Sequence, residues 1–294
     1  MPLDDPEWLE RMYNNRARVP EHGEYFARWA AASAEVRRTQ PCSIDVPYGS
    51  GVNETLDIFP AQGGGGGDGA PVLVFVHGGY WRALDKRDHS FIAPPFTRRG
   101  ACVVVPNYAL CPGTDAAPVG ISHIALQMAR ALEWTWRNIA AYGGDPRRIT
   151  VAGHSAGGHL AAMLLACRWQ QVAPDLPRHL VRHALAISGL FELEPMRLTP
   201  SFQVSLRLSP EEVRRTSPAM WPAPAAGTLY AVAGGLESDE FIRQNEAIAR
   251  AWGPDAVPVC KLAPGRDHFS IVDAFADPAH RVHELAVELL QRRD

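Results

Sequence analysis

The stretch Ile149-Thr-Val-Ala-Gly-His-Ser-Ala-Gly-Gly158 constrains the fold of this chain more than any other segment. An apolar, β-branched run ends in Gly153-His154-Ser155-Ala156-Gly157 and passes directly into a helix-forming sequence. A strand that turns into a helix within a few residues needs small residues on both sides of the turn. The residue at the apex is then lifted out on a strained backbone in front of a helix N-terminus. That residue is Ser155, so the pattern predicts a nucleophilic hydroxyl at the end of a buried strand. Because Gly-x-Ser-x-Gly also occurs in ordinary turns, the reading requires partners: donors for an oxyanion, a histidine and a carboxylate, each at a strand end.

The rest of the chain supplies the strands. From Pro71 onward apolar runs alternate with helical patterns, and the runs are continuously apolar, as in a sheet covered on both faces. Strands are expected over 72–76, 101–105, 149–152, 180–188, 228–233 and 257–262. Helices are expected over 91–99, 120–142, 155–168, 240–252 and 277–292. This predicts one α/β domain over residues 1–294, with a mostly parallel central sheet and helices on both faces. Ahead of it, 6–39 reads as two short helices whose aromatics seal the segment against the main body, and 42–48 with 53–59 reads as an antiparallel hairpin. The Gly-rich segment 61–70 lacks a Gly-Lys-Ser/Thr ending and reads as a flexible turn rather than a phosphate loop. Residues 191–226 are interrupted by Pro195, Pro200, Pro210, Pro218, Pro222 and Pro224. Regular structure is not expected to run through them, and a connection of this length is a candidate lid or pocket wall.

A formal charge of −3 disfavours nucleic acid or an anionic membrane as the main partner. The five cysteines are scattered without a Cys-x-x-Cys pair, which favours free thiols in a reducing compartment over a disulfide framework. Neither a leader-like start nor a long apolar run is present, so a cytoplasmic protein acting on a small molecule is expected, with a homodimer left open.

Three further segments meet the demands of the elbow. The first parallel strand runs into His77-Gly78-Gly79-Tyr80-Trp81, where adjacent glycines let backbone N–H groups of Gly78 and Gly79 approach a ligand, with the N–H of Ala156 as a further donor. Gly265-Arg-Asp-His268-Phe269 follows the last strand and offers His268 as the general base; His280 and His283 lie in the closing helix, and His154 and His159 suit packing or a structural hydrogen bond better. After the strand at 228–233, Gly234-Gly-Leu-Glu237-Ser-Asp239-Glu240 offers three carboxylates. Glu237 comes soonest after the strand and is the first choice, Asp239 is the alternative, and Glu240 suits the start of a helix. Chemistry at this set needs no metal or cofactor. Tyr80, Trp81, Tyr108 and Trp221 are candidate pocket walls, although core or lid packing uses the same residue types.

Taken together, His77 to Trp81, Gly153 to Gly158, Glu237 to Gln244 and Asp267 to Phe269 resemble the arylformamidase (kynurenine formamidase) group of α/β-hydrolases, relatives of the hormone-sensitive-lipase-like esterases. The resemblance covers nearly the whole chain. It implies an α/β-hydrolase fold, attack of Ser155 on a formamide carbonyl, proton transfer by His268 and a pocket tyrosine at Tyr108. It also implies an aspartate where this chain has Glu237. The esterase relatives carry a third glycine where this chain has Tyr80, which favours the formamidase side. The implied reaction is cleavage of N-formyl-L-kynurenine. The alternatives are a carboxylesterase for small aromatic or short-chain esters and a catalytically silent binding scaffold.

Overall fold

The computed structural model describes residues 3–63 and 69–292, so the middle of the expected glycine-rich turn, 64–68, lies outside the described residues. Eight strands form one sheet: β1 (Ser43–Pro47), β2 (Thr55–Phe59), β3 (Ala70–Val76), β4 (Cys102–Pro106), β5 (Gly144–His154), β6 (His183–Ile187), β7 (Thr228–Gly234) and β8 (Val259–Ala263). Their spatial order is β1-β2-β4-β3-β5-β6-β7-β8. β1 pairs antiparallel with β2, and β2 antiparallel with β4; every later pairing is parallel.

The alternation of side chains along β3 divides the interior. Val72, Val74 and Val76 enter one core with the helices Ile121–Asn138 and Ala156–Leu165. Leu73 and Phe75 enter a second core, built with the helices Ser270–Ala276 and Arg281–Gln291 and with Trp29 of the helix His22–Thr39. Burial on both faces explains why these strands read as unbroken apolar runs. No helix among the described residues is long and apolar enough to cross a membrane.

Two expectations change. The N-terminal segment forms three helices, Pro6–Tyr13, Asn15–Arg18 and His22–Thr39, rather than two. The proline-rich segment is largely helical, with helices Glu194–Leu198, Pro200–Leu206 and Pro210–Thr216 and a 3-10 turn at Pro218–Met220. Pro195, Pro200, Pro210 and Pro218 stand in the first two positions of these elements. A proline there has the right φ and lacks an N–H that would go unpaired anyway, so these residues start helices instead of breaking them.

Candidate active site

The strand-to-helix turn is as tight as its sequence requires. Ser155 has φ 56° and ψ −117°, a strained conformation for a residue with a Cβ. Its N–H donates to Ile187 O at 2.8 Å, and its carbonyl accepts from His159 N–H at 3.0 Å, so the apex is held on both sides. A Cβ on Gly157 would lie 2.0 Å from Val76 O, which shows how closely the helix beginning at Ala156 rides on the end of β3. The N–H of Ala156, at the first helical position, has no acceptor among the described residues.

The loop after β3 lies against this turn. A Cβ on Gly78 would meet Ser155 Cβ at 3.1 Å, and Gly79 has φ 104° with Ala83 O 2.0 Å from where its Cβ would be. The loop is anchored from below. Tyr108 Oη lies 2.9 Å from His77 O and 3.0 Å from Gly78 O, and its ring stacks on His77 at 4.2 Å between centroids. His77 Nδ1 also donates to Gly78 O at 2.8 Å. In a planar trans peptide the C=O and the following N–H point opposite ways, so holding these carbonyls fixes the directions of the Gly78 and Gly79 N–H groups. Neither N–H has an acceptor among the described residues. Tyr108→Phe should leave the buried His77 carbonyl without its donor, Gly78 O keeping His77 Nδ1, and lower kcat/KM about tenfold, with the fold retained by circular dichroism.

His268 lies in the loop after β8 and Glu237 in the loop after β7. His268 Nδ1 is 2.7 Å from Glu237 Oε2. The other carboxylate oxygen, Glu237 Oε1, accepts from Ser188 Oγ at 2.5 Å and from the Gly234 N–H at 2.6 Å. The Glu237 carboxylate is thus fully buried yet has three donors around it. Asp267 braces the histidine loop, its Oδ1 accepting from the Phe269 and Ser270 N–H groups at 2.7 and 2.9 Å. With Nδ1 directed at the carboxylate, Nε2 is the nitrogen left for the cavity that His268 shares with Ser155. Asp239 is exposed at the first position of the helix Asp239–Ala256 and makes no hydrogen bond or ion pair with His268 among the described residues; Glu240 is buried and accepts from Tyr13 Oη at 2.6 Å.

His154 packs against His268 at 4.6 Å between ring centroids and donates from Nε2 to the His268 carbonyl at 2.8 Å. Burial, and next the neighbouring His268, hold its pKa well below the usual histidine value, so it stays neutral and acts as a donor. Ser188 and Gly234, the two other partners of Glu237, carry no motif of their own. Only the adjacency of β6 and β7 brings Ser188 to the carboxylate.

Ser155 and His268 open into a cavity of about 410 Å³. The N-terminal segment forms much of its wall, through Tyr13, Phe26 and Trp29, so Phe26 and Trp29, two of the aromatics expected to seal that segment, also line the cavity. Tyr80 lies on the cavity wall; its Oη donates to Tyr13 O at 2.7 Å and accepts from Asn15 Nδ2 at 3.1 Å. The proline-rich segment contributes Ser201 and Phe202. The other three aromatic candidates are elsewhere. Trp81 is fully buried, edge-on to His159 at 4.9 Å, and Tyr108 is fully buried beneath the loop it holds. Trp221 borders a separate hollow beside Cys167, because the folding of its segment into helices turns Phe202 rather than Trp221 toward Ser155.

An eight-stranded, mostly parallel sheet that carries a strained serine, a carboxylate-bound histidine and unpaired N–H groups at its strand ends defines an α/β-hydrolase. The Carboxylesterase family model matches residues 53–191. The kynurenine formamidase of Danio rerio is 28% identical over 255 residues, covering 84% of this chain and 81% of that protein. Esterase LipQ of Mycobacterium tuberculosis is 39% identical over 129 residues, 43% of this chain and 30% of that protein. The solved structure of a proposed thioesterase from Silicibacter sp. TM1040 is 29% identical, with a TM-score of 0.81 over 95% of this chain and 98% of that one. The chain is therefore an amide or ester hydrolase. It is similar to kynurenine formamidases over most of its length and to esterase LipQ over less than half of it.

Proposed function

We propose that the chain hydrolyses N-formyl-L-kynurenine to formate and L-kynurenine, with Ser155 as nucleophile, His268 as the proton carrier and Glu237 as the carboxylate that orients His268. The observation that carries this reading is the aromatic-walled cavity directly over Ser155 and His268, which suits a flat aryl amine as leaving group. The likeness to kynurenine formamidases over most of both chains supports it, because the likeness to LipQ is confined to less than half of this one.

The arrangement supports the following chemistry. With Nδ1–H bonded to Glu237, His268 has its Nε2 lone pair free to take the Ser155 proton as Oγ attacks the formyl carbon. The N–H groups of Gly78, Gly79 and Ala156 receive the oxyanion. Breaking the C–N bond sends the Nε2 proton to the departing aryl amine. Water, deprotonated in turn by His268, then cleaves the formyl-serine ester to formate. Cleavage of small esters is the second reading, favoured by the carboxylesterase match, which spans both the Gly78-Gly79 loop and Ser155. Purified protein incubated with N-formyl-L-kynurenine should release kynurenine with a kcat/KM above that for p-nitrophenyl acetate; rapid ester cleavage without kynurenine release would leave only the esterase reading.

A further inference from the structure

The cavity over Ser155 is not uniformly apolar. Its wall carries Arg82, on the loop that follows Gly79, together with Glu10 and Arg16 from the N-terminal segment. Arg82 is half-buried, with its guanidinium 4.8 Å from the centroid of Phe202. Its Nη1 donates to Ser201 O and Ser205 Oγ, each at 3.0 Å, which leaves Nε and Nη2 without an acceptor among the described residues. Arg16 is exposed, 5.7 Å from the Phe26 centroid, and makes no ion pair among the described residues. Glu10 and Arg16 both lie within electrostatic reach of Arg82, and burial depresses the Arg82 pKa. Glu10 is not bonded to either arginine; its Oε2 accepts from the Ser201 N–H at 3.3 Å. A partly desolvated guanidinium held against an aromatic face, with free N–H groups and no bound carboxylate, is matched to an incoming carboxylate.

We propose that Arg82 and Arg16 form a carboxylate subsite, with Glu10 beside it for an ammonium group, selecting formamides whose aryl leaving group carries an amino-acid side chain. This rests on the formamidase reading and deepens it. Arg82 stands three residues after Gly79, so one loop both presents oxyanion donors and grips the far end of the substrate. Charge at that end then fixes how the formyl carbon meets Ser155, and an uncharged aryl formamide lacks this second anchor.

The test compares kcat/KM for N-formyl-L-kynurenine with that for formanilide, which has the same bond and no carboxylate, in the wild type, Arg82→Gln and Arg16→Gln. The ratio of the two values should fall about tenfold in Arg82→Gln and by a smaller factor in Arg16→Gln, chiefly through a higher KM for N-formyl-L-kynurenine. Competitive inhibition of p-nitrophenyl acetate hydrolysis by L-kynurenine should weaken in the same order. Arg16 is exposed, so its variant keeps the comparison informative if Arg82→Gln fails to fold. A wild type that cleaves N-formyl-L-kynurenine, with a substrate ratio unmoved in the folded variants, overturns the subsite and leaves the formamidase reading standing. A wild type that cleaves formanilide and esters but not N-formyl-L-kynurenine overturns both.

Discussion

Replacing Ser155 with alanine should lower kcat/KM on N-formyl-L-kynurenine about ten-thousandfold or more while the protein keeps its fold. The separation of these two effects follows from what the residue does in the turn. Its backbone N–H and carbonyl hold Ile187 and His159, and alanine preserves both bonds. The positive φ of 56° strains alanine about as much as serine, since each has one unbranched Cβ. The hydroxyl is the only group removed, so the thermal midpoint should stay near that of the wild type. Formate release measures the loss, and labelling by a fluorophosphonate should vanish with it. His268→Ala should fall nearly as far, and the double variant little further, because in the proposed mechanism nucleophile and base act as one unit. Near-normal turnover in a folded Ser155→Ala protein would remove the serine from the mechanism.

The parts of the site that the sequence reveals are those in which backbone geometry dictates residue type. The turn at Gly153 to Gly157 must be small because the helix sits on Val76, and Gly79 occupies a conformation with no room for a side chain. The strands betray themselves by burial on both faces, and their parallel order carries the ends of β5, β7 and β8 together. The walls were less legible for a physical reason. Aromatic side chains fill cores and line cavities equally well, so Trp81 and Trp29 look alike in sequence although only Trp29 borders the cavity. The same holds for proline, which marks a helix start or a break depending on where it falls in the first turn. Ser188 was illegible because its role is made by the pairing of β6 with β7 and by a positive φ of 52°, neither of which leaves a local pattern.

The choice between Glu237 and Asp239 turns on the same kind of contact. Glu237→Gln should reduce kcat about a thousandfold to ten-thousandfold, whereas Asp239→Asn should change it less than about twofold. In the wild type every group facing the Glu237 carboxylate donates: His268 Nδ1 on one oxygen, Ser188 Oγ and the Gly234 N–H on the other. An amide has one acceptor and one donor end, so either orientation sets an N–H against a donor. If the amide N–H faces His268, it favours the tautomer with its proton on Nε2, which cannot accept from Ser155. Asp239 is exposed at a helix N-terminus, where its charge interacts with the helix dipole; losing it should cost about 0.3–1 kcal/mol of stability and no catalytic contact. Glu237→Asp tests the length of the arm. The shorter side chain cannot keep Ser188, Gly234 and His268 all within hydrogen-bond range without movement of the loop, so its kcat should fall between those of the wild type and Glu237→Gln. A larger loss for Asp239→Asn than for Glu237→Gln, in proteins with matching circular dichroism, would transfer the orienting role to Asp239.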